Sequence, residues 1–212
     1  MTDLYVYAAV IVTLFAIVDP IGTLPFFVAL TDGFDTADRN VVLRRAVLVL
    51  GGVLTLFALV GRFLFLAFGF TLGAFEIAGG ILLFMVAYDM LQGEVARARL
   101  SKEDREEAIE RRDELSVFPI GIPLLAGPGA ISTVMIYEGS AGSTDLLAIL
   151  ATFVAIWVAA AATFLVFRYG QRILSSLGRV GVMAMTRVLG LILAAVGVQF
   201  VVNGVSAVLP HL

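Results

Sequence analysis

The chain contains no cysteine, which excludes disulfides and thiolate metal sites. Its single histidine, His211, stands one residue from the end. Imidazole catalysis and His-ligated metals lose their material with it, so neither a metal nor a cofactor is expected. Charge is scarce: Asp, Glu, Lys and Arg make up 15% of the 212 residues, against about a quarter in a soluble domain. The formal net charge is −3 and no exposed basic stripe is present, so nucleic acid is not an expected partner. Gly127-Pro128-Gly129 is not followed by Gly-Lys-Ser/Thr, so it is not a nucleotide phosphate loop. Met1-Thr2-Asp3 carries no Lys or Arg. The apolar run behind it therefore reads as a mature span rather than a signal peptide.

What is abundant is apolar surface. Apolar residues make up 60% of the chain, and the mean hydropathy is +1.03. A water-soluble globule of this size could not cover that much apolar surface, so lipid must be part of its solvent. Crossing the hydrocarbon takes roughly 20 apolar residues in a helix. Stretches of that kind run over Leu4–Leu30, Val41–Phe68, Leu72–Leu91, Val117–Tyr137, Leu146–Arg168 and Thr186–Leu209. Arg44, Arg45 and Arg62 lie near span ends, where long side chains reach the interface. Residues 93–116 are strongly charged and read as a solvated linker; Glu107 and Arg111 sit four apart, which suits an exposed helix. Gln171–Gly181 reads as a shorter polar connector.

Three spans on each side of the linker give an all-α membrane protein of six transmembrane helices, divided as residues 1–92, linker 93–116 and residues 117–212. An odd number per half makes the halves insert in opposite senses. Alternation puts every basic residue except Arg62 on one side. Positive charge in short loops stays cytoplasmic. The linker is therefore expected in the cytoplasm, and both termini outside it, in a multi-pass protein of the inner or plasma membrane. Echoes between the halves point to an inverted repeat. Glu76-Ile-Ala-Gly79-Gly-Ile-Leu aligns without gaps on Arg187-Val-Leu-Gly190-Leu-Ile-Leu, and the same register lays Gln92-Gly93 over Asn203-Gly204.

The first span of each half carries a cluster of prolines and glycines: Asp19-Pro20-Ile-Gly22-Thr23-Leu-Pro25 and Pro123 to Gly129, followed by Ser132 and Thr133. Proline removes a donor and clashes with the carbonyl four residues back. Pro20 and Pro25 are expected to interrupt helix 1, and Pro123 and Pro128 helix 4, both at mid-membrane. Unwound backbone at that depth survives only in protein or along a cavity. Paired interruptions in two inverted halves mark a transporter's binding site. Helix ends with free N–H groups suit a carboxylate, and Asp19 suits an ammonium or a coupling cation. A small zwitterion satisfies both. The candidate substrate-binding residues are Asp19, Pro20, Gly22, Thr23, Gly127, Pro128, Gly129, Ser132 and Thr133. Asp19 also reads as a helix cap before Pro20. Glu76, Asp89 and Asn203 are candidates for the pathway or for ion coupling, although Glu76 and Asp89 lie near span ends where the interface solvates them. Glycines such as Gly79 and Gly190 suit close helix packing, and a homo-oligomer is neither required nor ruled out.

Four motifs in order, Asp19-Pro-Ile-Gly-Thr-Leu-Pro-Phe26, Ile77-Ala-Gly-Gly-Ile81, Pro123-Leu-Leu-Ala-Gly-Pro-Gly-Ala-Ile131 and Gly197-Val-Gln-Phe-Val-Val-Asn-Gly204, resemble the hallmarks of the MarC family of six-helix inner-membrane proteins. The resemblance covers essentially the whole chain. It implies a secondary transporter of small neutral amino acids of the glycine and alanine class, coupled to protons or sodium ions. An enzyme is not expected, because the spans offer no nucleophile or metal cluster. An exporter of another small solute, a channel and a non-transporting scaffold are the alternative readings.

Overall fold

The computed structural model describes residues 2–31, 34–92, 112–140, 146–174 and 178–209. All regular structure among them is helical. Helices α1 (Thr2–Val18) and α2 (Pro20–Leu30) meet at Asp19, followed by α3 (Thr36–Phe68) and α4 (Leu72–Gln92). Residues 112–117 are helical and lead into a wide π turn, Ile120–Leu125. Then come α5 (Pro128–Ser140), α6 (Leu146–Leu174) and α7 (Gly178–Val208). Five helical stretches are long and apolar enough to cross a membrane: Val10–Leu30, Thr36–Phe68, Leu72–Gln92, Ile149–Gly170 and Thr186–Val208. The pair Arg112–Leu125 and Pro128–Glu138, bent by 62°, makes a sixth when taken as one span.

The largest buried side chains come mostly from α1, α2, α3, α5, α6 and the π turn, among them Leu14, Phe27, Leu50, Ile120, Ile131 and Phe167, with Met90 from α4. Phe27 of α2 and Phe167 of α6 pack as tilted rings with centroids 4.7 Å apart. Outward-facing residues such as Leu66 and Phe63 are more than two-thirds exposed. That is the inverse of a water-soluble protein and suits contact with lipid tails.

Helices α4 and α7 are antiparallel and pack on each other along their length. Glycines make the approach close. A Cβ on Gly80 would lie 2.5 Å from the Gly197 carbonyl oxygen, and one on Gly197 would lie 2.7 Å from that of Gly80. Gly73 and Gly204 oppose each other in the same way, and Gly190 faces the Ala87 carbonyl. Gly73, Gly80 and Ala87 are spaced by seven, as are Gly190, Gly197 and Gly204. Seven residues are nearly two turns, so each trio lies on one stripe.

Several expectations are revised. Pro25 does not interrupt its helix: it sits inside α2 with helical residues on both sides. One missing donor is tolerated where neighbouring helices bury the turn. The polar connector placed at Gln171–Gly181 is mostly helical, because α6 runs on to Leu174 and α7 starts at Gly178. Residues 93–111 of the linker, with the Glu107–Arg111 pair, lie outside the described residues, as does His211. The end of the linker is not free chain. Arg112 donates to Asp38 of α3 at 3.0 Å and to Asp113 at 3.2 Å, and Arg45 of α3 pairs with Asp113. Finally, Gly79 and Gly190, aligned by the sequence echo, meet different neighbours. Gly79 faces Pro128, whereas Gly190 faces Met90 and Ala87.

Candidate functional site

The first break is a single residue wide. Asp19 adopts φ 44°, ψ 64°, the left-handed region that L-residues other than Asn and Asp rarely enter. Its carboxylate accepts from the Gly22 amide at 2.9 Å. Its carbonyl accepts from both the Thr23 amide, at 2.9 Å, and the Thr23 hydroxyl, at 2.7 Å. On the other side the Asp19 amide donates to the Phe15 carbonyl at 3.0 Å. Asp19 is thus the N-cap of α2, and Pro20 stands at the first helical position, where α2 itself makes no use of an N–H. Gly22 is required here because a Cβ would collide with the Asp19 carboxylate. Pro20 has no N–H and the Gly22 amide is used by the cap, so the carbonyls of Ala16 and Val18 lose the donors a continuous helix would give them.

The second break is longer. Within the π turn the amides of Leu124 and Ala126 reach back five residues, to the carbonyls of Pro119 at 3.0 Å and Gly121 at 2.9 Å. Ile122 is extended inside it, at φ −135°, ψ 130°. Gly127 then packs so closely that a Cβ would lie 2.8 Å from the Pro123 carbonyl. Helix α5 begins at Pro128, and its first return bond runs from the Ile131 amide to the Gly127 carbonyl at 3.0 Å. The intervening amides, of Gly129 and Ala130, belong to the first turn, which has no upstream carbonyls to use. Gly127 has no side chain to cap them.

Both breaks open on one cavity of about 320 Å³. The first contributes Ile17, Val18, Asp19, Gly22 and Thr23, and the second Pro123, Leu124, Leu125, Gly127, Gly129 and Ala130. The opposite wall is apolar: Leu83 from α4, with Ile192, Leu193, Val196 and Phe200 from α7. Phe26 of α2 also lines the cavity. Polar groups are therefore confined to the breaks. One break presents a carboxylate and the other a helix N-terminus, whose amides and dipole favour negative charge.

Of the residues singled out in the sequence, Asp19, Gly22, Thr23, Gly127 and Gly129 line this cavity. Pro20 and Pro128 frame the breaks without lining it. The Ser132 and Thr133 hydroxyls turn back on their own helix, donating to the Gly129 carbonyl at 2.9 and 2.8 Å, and neither residue lines the cavity. Glu76, Asp89 and Asn203 lie elsewhere. Glu76 is half-buried on α4, Asp89 is exposed, and Asn203 is exposed on α7, where it accepts from Gln199 at 2.7 Å. The apolar wall was missed in the sequence. Its signal was the i, i+4, i+8 spacing of Ile192, Val196 and Phe200, one face of a helix. Among the described residues no group of acidic or His side chains could hold a metal ion.

Comparison with known proteins gives a consistent picture. The family profile described as MarC family integral membrane protein matches residues 4–209. A UPF0056 membrane protein of Methanocaldococcus jannaschii is 35% identical over 209 residues, covering 98% of this chain and 99% of the relative. The UPF0056 membrane protein YvbG of Bacillus subtilis is 35% identical over 203 residues, 96% of this chain and 95% of its own. YhcE of Escherichia coli, another UPF0056 membrane protein, is 32% identical over 210 residues, 99% of this chain and 96% of its own. No solved structure matches.

Proposed function

The chain belongs to the MarC family of integral membrane proteins, and from that membership and the cavity we propose that it is a secondary transporter of small neutral amino acids. The glycine and alanine class is the intended substrate, carried by alternating access and coupled to a proton or sodium gradient. In this reading the protein is a carrier, not an enzyme. The observation that supports it most is the common cavity: two helix breaks, remote in sequence, present opposite polarity to one space otherwise walled by apolar groups. The substrate carboxylate lies against the Gly129 and Ala130 amides at the start of α5. The ammonium lies against the Asp19 carboxylate and the carbonyl of Val18. The apolar wall receives the side chain, so a charged side chain is rejected by the desolvation it would suffer there.

Two finer elements belong to the same proposal. Residues 1–92 and 117–212 are inverted repeats, a reading supported by the antiparallel course of α4 and α7. The bundle end that carries Asp38, Arg45 and Arg112 faces the cytoplasm, as the bias of basic residues predicts, which leaves both termini outside it in an inner or plasma membrane.

The test is uptake of labelled glycine and alanine into proteoliposomes under imposed proton and sodium gradients. Saturable uptake that follows one gradient is expected and identifies the coupling ion. Absence of uptake for every small zwitterion tried, with protein shown to be folded and inserted, overturns the reading.

A further inference from the structure

An inverted repeat suggests that one half rocks against the other. The packing runs across the halves instead. Helices α1, α2 and α3, all from the first half, pack on α6 of the second, and α3 also packs on the π turn and α5. The Asp38–Arg112 and Arg45–Asp113 pairs tie the end of the linker, which leads into the second half, to α3 at one end. A second body stands apart. Helix α4 packs above all on α7, through the reciprocal Gly73–Gly204 and Gly80–Gly197 approaches. This pair meets the rest mainly through α2, the π turn and α5, the elements that carry the breaks. The cavity lies along that boundary, with the breaks on one side and Leu83, Val196 and Phe200 on the other.

We propose that the moving part of this protein is the α4–α7 pair, one helix from each half, which swings as a rigid unit against a scaffold made of the other helices. The proposal rests on the transport reading and deepens it. At Gly73, Gly80, Gly197 and Gly204 the two backbones touch directly, with side chains such as Ile77, Val208 and Phe200 packed beside them, so the pair resists internal shear. The pair presents only apolar side chains to the cavity. Its wall can therefore separate from the breaks without breaking hydrogen bonds there. A joint is in place between α3 and α4. Gly69 ends α3 at φ 68° with open space where a Cβ would be, and Phe75 of α4 packs on Phe57 and Phe65 of α3 at 5.9 and 5.7 Å. Such a residue can absorb the change of backbone angle that a hinge needs.

The absence of native cysteine makes the test clean. A Cβ on Gly79 would lie 3.9 Å from that of Pro128, close to the disulfide mean of about 3.8 Å. Oxidised Gly79→Cys/Pro128→Cys should join the pair to the scaffold and lower alanine flux at least tenfold, with recovery on reduction. Met90→Cys/Gly190→Cys lies within the pair, where the Cβ separation is 3.1 Å. Gly61→Cys/Met135→Cys lies within the scaffold and across the halves, where a Cβ on Gly61 would be 3.0 Å from the Met135 side chain. Bridging either, the second with a short bis-thiol reagent, should leave flux within about twofold of the reduced protein. Loss of flux on bridging Gly61→Cys/Met135→Cys, to the extent seen for Gly79→Cys/Pro128→Cys, overturns the proposal in favour of rocking halves.

Spin labels decide the matter without substrate. Leu48 on α3, Leu165 on α6 and Val198 on α7 are all about half exposed or more. The Leu48–Val198 separation should populate two distances and the Leu48–Leu165 separation one. A single narrow distance for both, or a split confined to Leu48–Leu165, overturns the two-body account even if uptake succeeds. If no variant carries any zwitterion, the transport reading falls while the labels still judge the two bodies.

Discussion

The two breaks that share the cavity interrupt their spans in different ways. At the first, one residue in a left-handed conformation separates α1 from α2, and the stretch Val10–Leu30 still passes as a single span. At the second, a π turn and an extended residue precede a bend of 62°. The chemical contrast is sharper than the geometric one. Helix α2 already holds a carboxylate at its N-terminus, because Asp19 caps it. Helix α5 starts after Gly127 and holds none. Two breaks that look alike in sequence therefore do opposite work. The first neutralises its own helix end and offers oxygen atoms, and the second leaves the amides of its first turn without a capping side chain.

The largest expected effect comes from making the second break resemble the first. Gly129→Asp places a carboxylate at the start of α5, in a position where a Cβ meets only Ile17, at 3.4 Å. It should lower kcat/KM for alanine by roughly 100-fold through competition and repulsion at the helix end. Uptake at wild-type level would mean that the substrate carboxylate does not bind there. Next comes Asp19→Ala, which removes the cap, the tolerance of the left-handed conformation and the proposed ammonium partner together. Unfolding in mild detergent should show a loss of about 1–2 kcal/mol, with alanine flux down at least tenfold. Asp19→Asn separates these roles. Asn caps and enters the left-handed region as readily, so stability should stay within about 0.5 kcal/mol while KM for alanine rises severalfold. Gly22→Ala pushes a methyl group into the Asp19 carboxylate and should destabilise by about 1 kcal/mol through loss of the cap. Ser132→Ala is the smallest: its hydroxyl bonds only to its own helix, so transport should change by less than about twofold.

Much of this was legible in the sequence. The spans follow from hydropathy, because lipid permits no other way to satisfy a long apolar stretch. The breaks follow from clustered proline and glycine. What was not legible is which proline matters. Pro20 ends a helix because Asp19 before it caps the next one, whereas Pro25 is absorbed inside α2. Local composition cannot tell these apart, because the difference lies in the conformation of the neighbouring residue and in burial by other helices. The hydroxyls were misjudged for a related reason. Ser132 and Thr133 lie near the break in sequence, yet on a helix their oxygen atoms reach the carbonyl three or four residues back, an alternative always available to such residues. The apolar wall depends on which face α7 turns inward. The glycine stripe settles that orientation only once Gly197 is seen against Gly80.

The proposed transport requires one small zwitterion to bridge the two breaks, with its carboxylate at α5 and its ammonium at Asp19. Calorimetric titration of the purified protein with alanine, propionate and ethylamine tests it most directly, since each analogue lacks one of the two charged groups. Both analogues should bind at least tenfold more weakly than alanine, and Asp19→Asn should weaken alanine and ethylamine but not propionate. Equal binding of alanine and either analogue would contradict it.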